Sequence, residues 1–255
     1  MKKVLTLALI GFFISGIVQA KTISIENRVR LNVPDNFNYI KVDTYSEYFQ
    51  ELFEGFGKDA NFYYVGTDSS VEFANLMVTD QNKLLVPIME KMEKKKFKTE
   101  KSAINFISRE MKKLIKKYRY EGVIWVYISH ENLEDVDDEL FEIAKEVKNM
   151  NKNELIKESK NYQKKLKDEL ETYNVEGLKM KIAKFKIEKN PMNEPAFDLK
   201  LSASMFNINW DMEIYGYLDN KKTVLVGSEC IGKCKAIKQV KKNINFSDLI
   251  PTTSS

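Results

Sequence analysis

Histidine occurs once in this 255-residue chain, at His130, and arginine four times, while glycine, proline and cysteine number ten, five and two. A metal site on the two cysteines would need two more ligands, and the one histidine, His130, is far from them in sequence. No glycine-rich phosphate loop follows a strand, and no serine sits in G-x-S-x-G, so neither nucleotide binding nor a nucleophile elbow is signalled. Asp135-Val136-Asp137-Asp138 lacks the glycine and the distant glutamate of a calcium loop. No catalytic, cofactor or metal residues are assigned and no cofactor is implied. Internal repeats are missing, as is any linker rich in Pro, Gly or Ser. After the N-terminus no run is apolar enough to span a bilayer.

What is present begins with an address. Lys2 and Lys3 form a basic start, Val4 to Val18 an apolar run, and Val18-Gln19-Ala20 a small-residue tripeptide before Lys21. That order predicts a signal peptide over residues 1–20, cleaved after Ala20, and a periplasmic or extracellular protein that does not span the membrane. Losing Lys2 and Lys3 lowers the net charge from +4 to +2. So small an excess gives no argument for nucleic acid or an anionic membrane as a partner. Fifteen Phe and twelve Tyr supply a core, which excludes global disorder.

Periodicity then orders the chain. Ile23, Ile25, Val29, Leu31 and Val33 alternate about Glu26-Asn27, predicting a hairpin that ends at Pro34-Asp35. A short helix is expected over Tyr45 to Phe56, then strands at Phe62–Val65 and Val71–Val78 separated by the turn-rich residues 66–70. The stretch from Asp80 to Tyr120 reads as helical. Pro87 leaves its start ambiguous, whereas Ile104, Ile107, Met111, Leu114, Ile115 and Tyr118 keep a helical period up to Gly122. Val123–Ser129 is continuously apolar, as a central strand buried on both sides would be. Two polar helices follow, near Asn132–Val147 and Glu154–Tyr173. The period then falls to two over Leu178–Ile187, Phe197–Met205, Ile208–Leu218 and Thr223–Glu229. Asp219-Asn220-Lys221-Lys222 would join the last two strands, with Trp210, Met212 and Ile214 on the buried side. A helix over Lys235–Lys242 and a frayed tail close the chain.

This is an α+β pattern: a curved antiparallel sheet packed with helices, a hairpin at the N-terminus and a late antiparallel meander. Residues 21–255 read as one domain with a charged helical middle at about 80–173. Val29–Phe37 and Trp210–Val240 resemble the opening and closing segments of the PsbP-like family of exported proteins. That resemblance implies a layered sandwich and a binding or assembly role, and carries no catalytic residues across.

Three features are candidates for chemistry. Cys230 and Cys234, spaced C-x3-C in an exported chain, predict a disulfide; the redox spacing is one residue shorter. His130 ends the core strand and precedes five carboxylates, a setting for a general base or, more plainly, for a solvated histidine beside an acidic helix start. Residues 90–121 hold twelve Lys or Arg against five Glu, and 131–146 eight acids against one Lys. Either these faces are solvated and offset one another, or Lys112, Lys113, Lys116, Lys117 and Arg119 form a basic patch for an envelope protein or an anionic surface. The sequence reads as an exported, non-enzymatic binding or interaction protein; the alternative is an exported hydrolase with its site near His130.

Overall fold

The computed structural model describes residues 20–43, 56–172, 178–205, 207–232, 234 and 237. Apart from Phe56 and Ile237, the expected helix over Tyr45–Phe56 and the terminal helix over Lys235–Lys242 lie outside the described residues, as does nearly all of the leader.

The chain opens with β1 (Ala20–Ile25) and β2 (Val29–Pro34), paired as predicted, Ile25 opposite Val29. Glu26 and Asn27 both take positive φ (49° and 55°) in a three-residue loop, 26–28, closed by the Arg28 amide on the Ile25 carbonyl at 3.0 Å. Then come β3 (Phe37–Val42), β4 (Ala60–Thr67), α1 (Asp68–Thr79), α2 (Gln81–Glu93), α3 (Glu100–Lys117) and β5 (Val123–Asn132). The second half holds α4 (Leu133–Val136), α5 (Asp138–Asn149), α6 (Lys152–Thr172), β6 (Leu178–Lys189), β7 (Pro195–Met205), β8 (Ile208–Asp219) and β9 (Lys222–Ile231). Seven strands make one wholly antiparallel sheet in the order β3-β4-β5-β9-β8-β7-β6, with β6 to β9 a meander. The protein is α+β, as its patterning predicts. Strand β5 lies inside this sheet, and Val123 to Ile128 are all buried.

Both faces of the sheet are covered. In register across β4, β5, β9 and β8, Tyr63, Val126, Val226 and Tyr215 share one face. The β1–β2 hairpin lies there: Tyr63 Oη donates to Glu26 Oε1 at 2.6 Å and Tyr217 Oη to the Arg28 carbonyl at 2.9 Å. Ile23, Ile25, Val29, Leu31 and Val33 are buried beneath it. On the other face Tyr64, Trp125, Gly227, Ile214 and Leu199 form the matching row. The Trp125 indole lies so close over Gly227 that a Cβ there would sit 2.0 Å from it, so only glycine fits. Helix α6 closes the outer edge: Ser159 Oγ accepts from the Ile187 amide of β6 at 2.8 Å, a donor the sheet leaves unpaired.

Four expectations need correction. Val71–Val78 is not a strand but most of α1. Its buried residues Ser70, Val71, Phe73, Ala74 and Val78 recur at helical spacing, and Thr67 in the supposed turn caps the helix by accepting from the Ser70 amide. Helix α3 stops at Lys117, five residues before Gly122; Arg119, at φ 49°, takes the left-handed position beyond its end. The acidic helix is two helices, broken at Asp137, whose side chain caps α5 by accepting from the Leu140 amide at 2.9 Å. In β8 the phase is inverted: Glu213, Tyr215 and Tyr217 are buried, Met212 and Ile214 are half-buried and Trp210 is 39% exposed. Alternation marks two faces but not which is deeper, and the hairpin that buries the tyrosine face is remote in sequence. Pro87, left ambiguous, lies inside α2, which runs through it.

Candidate functional site

Helix α3 presents the predicted basic residues. Thr99 caps it in a reciprocal box with Ser102. Leu114 and Ile115 pack against the core and Phe106 is buried, Ile104 and Ile107 are half-buried, and Lys112, Lys113, Lys116 and Lys117 are exposed. Arg109, Lys112, Lys113 and Lys116 line an open cleft of about 500 Å³, closed at one end by Asn207 from the β7–β8 turn. Two of the five predicted patch residues stand apart from that lining: Lys117, with its Nζ 5.4 Å from the Tyr118 ring, and Arg119 past the helix end. Within the basic face Glu110 accepts from Lys113 Nζ at 2.7 Å and Lys91 Nζ at 3.1 Å. Those hydrogen bonds hold its carboxyl down to about 2. On α2 alongside, Val86 and Met89 are exposed, Met89 by 57%. The acidic segment finds partners elsewhere: Glu142 pairs with Lys145, and Glu134 with Lys221 at 3.3 Å.

Cys230 ends β9, and Cys234 lies just beyond Gly232, whose φ is +80° with open space where a side chain would be. Both cysteines are buried, and their Cα atoms stand 5.6 Å apart, at disulfide distance.

His130 sits at the end of β5 with its Nε2 4.0 Å from Glu26 Oε2. The neighbouring hydroxyl is spoken for: Ser129 is fully buried, donating to the Glu131 carbonyl and accepting from its amide, both at 3.2 Å. Glu131 in turn accepts from the Lys58 and Asp59 amides at 2.5 and 2.8 Å, so it fastens a loop to the strand end. Among the described residues no three metal-ligating side chains converge.

Sequence reasoning missed a second, larger cleft of about 1060 Å³ between the β1–β2 turn, α5, the β6–β7 turn and the β8–β9 hairpin. Phe141, Met192 and Tyr217 give it apolar walls, and Arg28 and Arg30 stand on one side of β2. Arg28 Nη1 is buried and 3.2 Å from Asp219 Oδ2, but is not aligned for a hydrogen bond. One signal was readable: two of the chain's four arginines alternate with Val29 and Leu31 in the hairpin.

A second carboxyl contrasts with Glu110. Glu229 of β9 lies beside Tyr120, which hydrogen-bonds it, and near Tyr64. Burial raises its carboxyl to about 7, against the lowering effect of the Tyr120 hydrogen bond.

No protein-family profile matches this sequence, and no curated protein matches it. Among solved structures it is similar to the solution structure of cyanobacterial PsbP (CyanoP) from Synechocystis sp. PCC 6803, at 8% identity and a TM-score of 0.38. That match covers 92% of this chain and 90% of the other. It falls in the family that the opening and closing segments resemble. The likeness is loose, and the fold stands on the strand order and register above. Among the described residues no helix is long and apolar enough to cross a membrane.

Proposed function

We propose that the protein is exported, loses residues 1–20, and acts without catalysis as a single-domain binding module that docks on an anionic lipid surface of the envelope. The observation that carries this reading is the α3 cleft, where Arg109, Lys112, Lys113 and Lys116 line one open depression. Cations gathered on one exposed face are drawn to the negative surface of anionic lipid. Export is supported by the order of residues 1–20 and by the cysteine pair at bonding distance.

The test is co-sedimentation of the mature chain with vesicles of phosphatidylcholine, with and without about a third phosphatidylglycerol. Binding is expected to the anionic vesicles only, with release by salt. Each cation near such a surface contributes about 1 kcal/mol, so replacing Lys112, Lys113 and Lys116 by Gln should weaken binding roughly 100-fold. The melting temperature should fall only slightly, since Lys112 and Lys116 are exposed and Glu110 keeps its bond from Lys91 when Lys113 is lost. Equal binding to neutral vesicles, or none to either, overturns the reading. Failure with vesicles together with salt-sensitive binding to polyglutamate would move the assignment to an acidic protein.

A further inference from the structure

We infer that the cleft between the β1–β2 turn and α5 is a binding site for a small organic carboxylate with an apolar body, independent of the α3 face. Its construction differs from a surface depression. Four chain segments far apart in sequence converge on it, and its volume of about 1060 Å³ is that of a site for a drug-sized molecule.

Charge and shape agree on the ligand. Five cations and three anions line the cleft, an excess of two positive charges. Most of these charges are already matched, with Lys148 on Glu194 at 2.7 Å and Lys221 on Glu134 at 3.3 Å. The two arginines are where charge is left over. Arg28 meets Asp219 without a hydrogen bond from the buried Nη1, and no described side chain pairs with the exposed Arg30. Lysine outnumbers arginine about ninefold in this chain, yet the two of these five cations that no glutamate takes up are both arginine. The guanidinium offers a planar fork that grips a carboxylate at two points, which an ammonium cannot do. Of the apolar side chains that line the cleft, Phe141 and Tyr217 are buried and Met192 is 42% exposed. Inorganic phosphate would satisfy the arginines and leave Met192 in water, so the ligand is an anion with an apolar body.

Asp219 is the internal competitor, a carboxylate already held against Arg28. Its removal should therefore strengthen ligand binding, an outcome that a purely structural role for the pair would not produce.

The experiment is titration of the isotopically labelled mature chain with octanoate, followed by amide chemical shifts, with methyl octanoate and inorganic phosphate as controls. Octanoate should saturate and shift amides of the β1–β2 turn, α5 and the β8–β9 hairpin, while neither control saturates. Arg30→Gln, at an exposed position, should weaken octanoate binding at least about 10-fold with the spectrum otherwise preserved. Asp219→Asn should tighten it several-fold. The inference is overturned if the ester binds as well as the acid, if phosphate binds as well as octanoate, if Arg30→Gln changes nothing, or if the shifts fall on α3. The last result would count for the α3 face while removing this site, so the two assignments fail separately.

Discussion

Glu110 and Glu229 are the same residue in two settings, and their carboxyls move in opposite directions. Glu110, on α3, is held down to about 2 by hydrogen bonds from two lysines. Glu229, in β9, is raised to about 7 by burial, with one tyrosine hydrogen bond opposing. The helix is a region where direct contact between charges decides, and those contacts reach into solvent. Both carboxyls are short of water, Glu110 at 5% exposure and Glu229 half-buried. What differs is that two lysines contact Glu110, whereas among the described residues no cation is paired with Glu229, so for it loss of water decides. The α3 cleft is consequently suited to an electrostatic partner that salt can remove. The sheet side carries instead a neutral carboxyl whose ionisation is a question of stability.

That contrast is broken most directly at Glu229. Its carboxyl binds a proton more tightly folded than unfolded, between the ordinary 4.5 and about 7. Its contribution is thus fully present below pH 4.5 and is lost as pH rises to 7, flattening above. The shift corresponds to about 3 kcal/mol at most, an upper bound because Glu229 keeps some contact with solvent. Glu229→Gln should raise stability at pH 8 by up to that amount and remove the slope between pH 4.5 and 7, read by urea unfolding across pH. An unchanged slope would mean that Glu229 is ionised throughout and that desolvation does not govern the sheet.

The cysteine pair sharpens the same comparison from the next residue along. A Cys230–Cys234 bridge would pin the end of β9 beside Glu229. It closes a loop of few residues, so the closure entropy it removes is small. Cys230→Ser and Cys234→Ser should each cost roughly 1–3 kcal/mol, and the double variant about the same as either single. A loosened strand end should also admit water to Glu229 and flatten the pH slope. Additive losses in the singles would show that the two sulfurs act by packing and not as a bridge. Thiol titration of denatured, unreduced protein, with two free thiols found, would say the same.

Several elements were readable because local pattern and tertiary place coincide. The Glu26-Asn27 hairpin, the apolar β5 and the β8–β9 turn at Asn220-Lys221 each carry their own turn chemistry or period. Val71–Val78 was misread because Val71, Phe73 and Met77 fit a short alternation, and the cap at Thr67 resembles a turn. The depth of β8 was illegible for another reason: the hairpin that buries Tyr215 and Tyr217 lies nearly two hundred residues earlier, so no local window holds the information. The lysines of α3 were legible as a charge run. Their meeting with Asn207 in one cleft, like the union of Arg28 with α5 and the β8–β9 hairpin, depends on which elements fold against one another.

The smallest expected effect belongs to Glu110, and it separates a structural ion pair from a restraint on the docking face. Its partners are largely in water, with the Lys91 and Lys113 side chains 59% and 64% exposed, so the cluster is screened and each contact is worth little. Its folded carboxyl is lowered, so its contribution is present above pH 4.5 and is lost as pH falls toward 2, a window adjoining that of Glu229. Taken alone, the two groups place greatest stability near the ordinary carboxylate value. Glu110→Gln should cost roughly 0.5 kcal/mol at low ionic strength and nothing measurable near 1 M salt, by urea unfolding at pH 7. The same substitution removes the carboxylate that occupies Lys91 and Lys113, so affinity for phosphatidylglycerol vesicles should rise a few-fold even as stability slips. If stability and vesicle affinity fall together, Glu110 is an organiser of the basic face. If affinity alone rises, it is a competitor within it, and the helix is tuned to release its partner as well as to hold it.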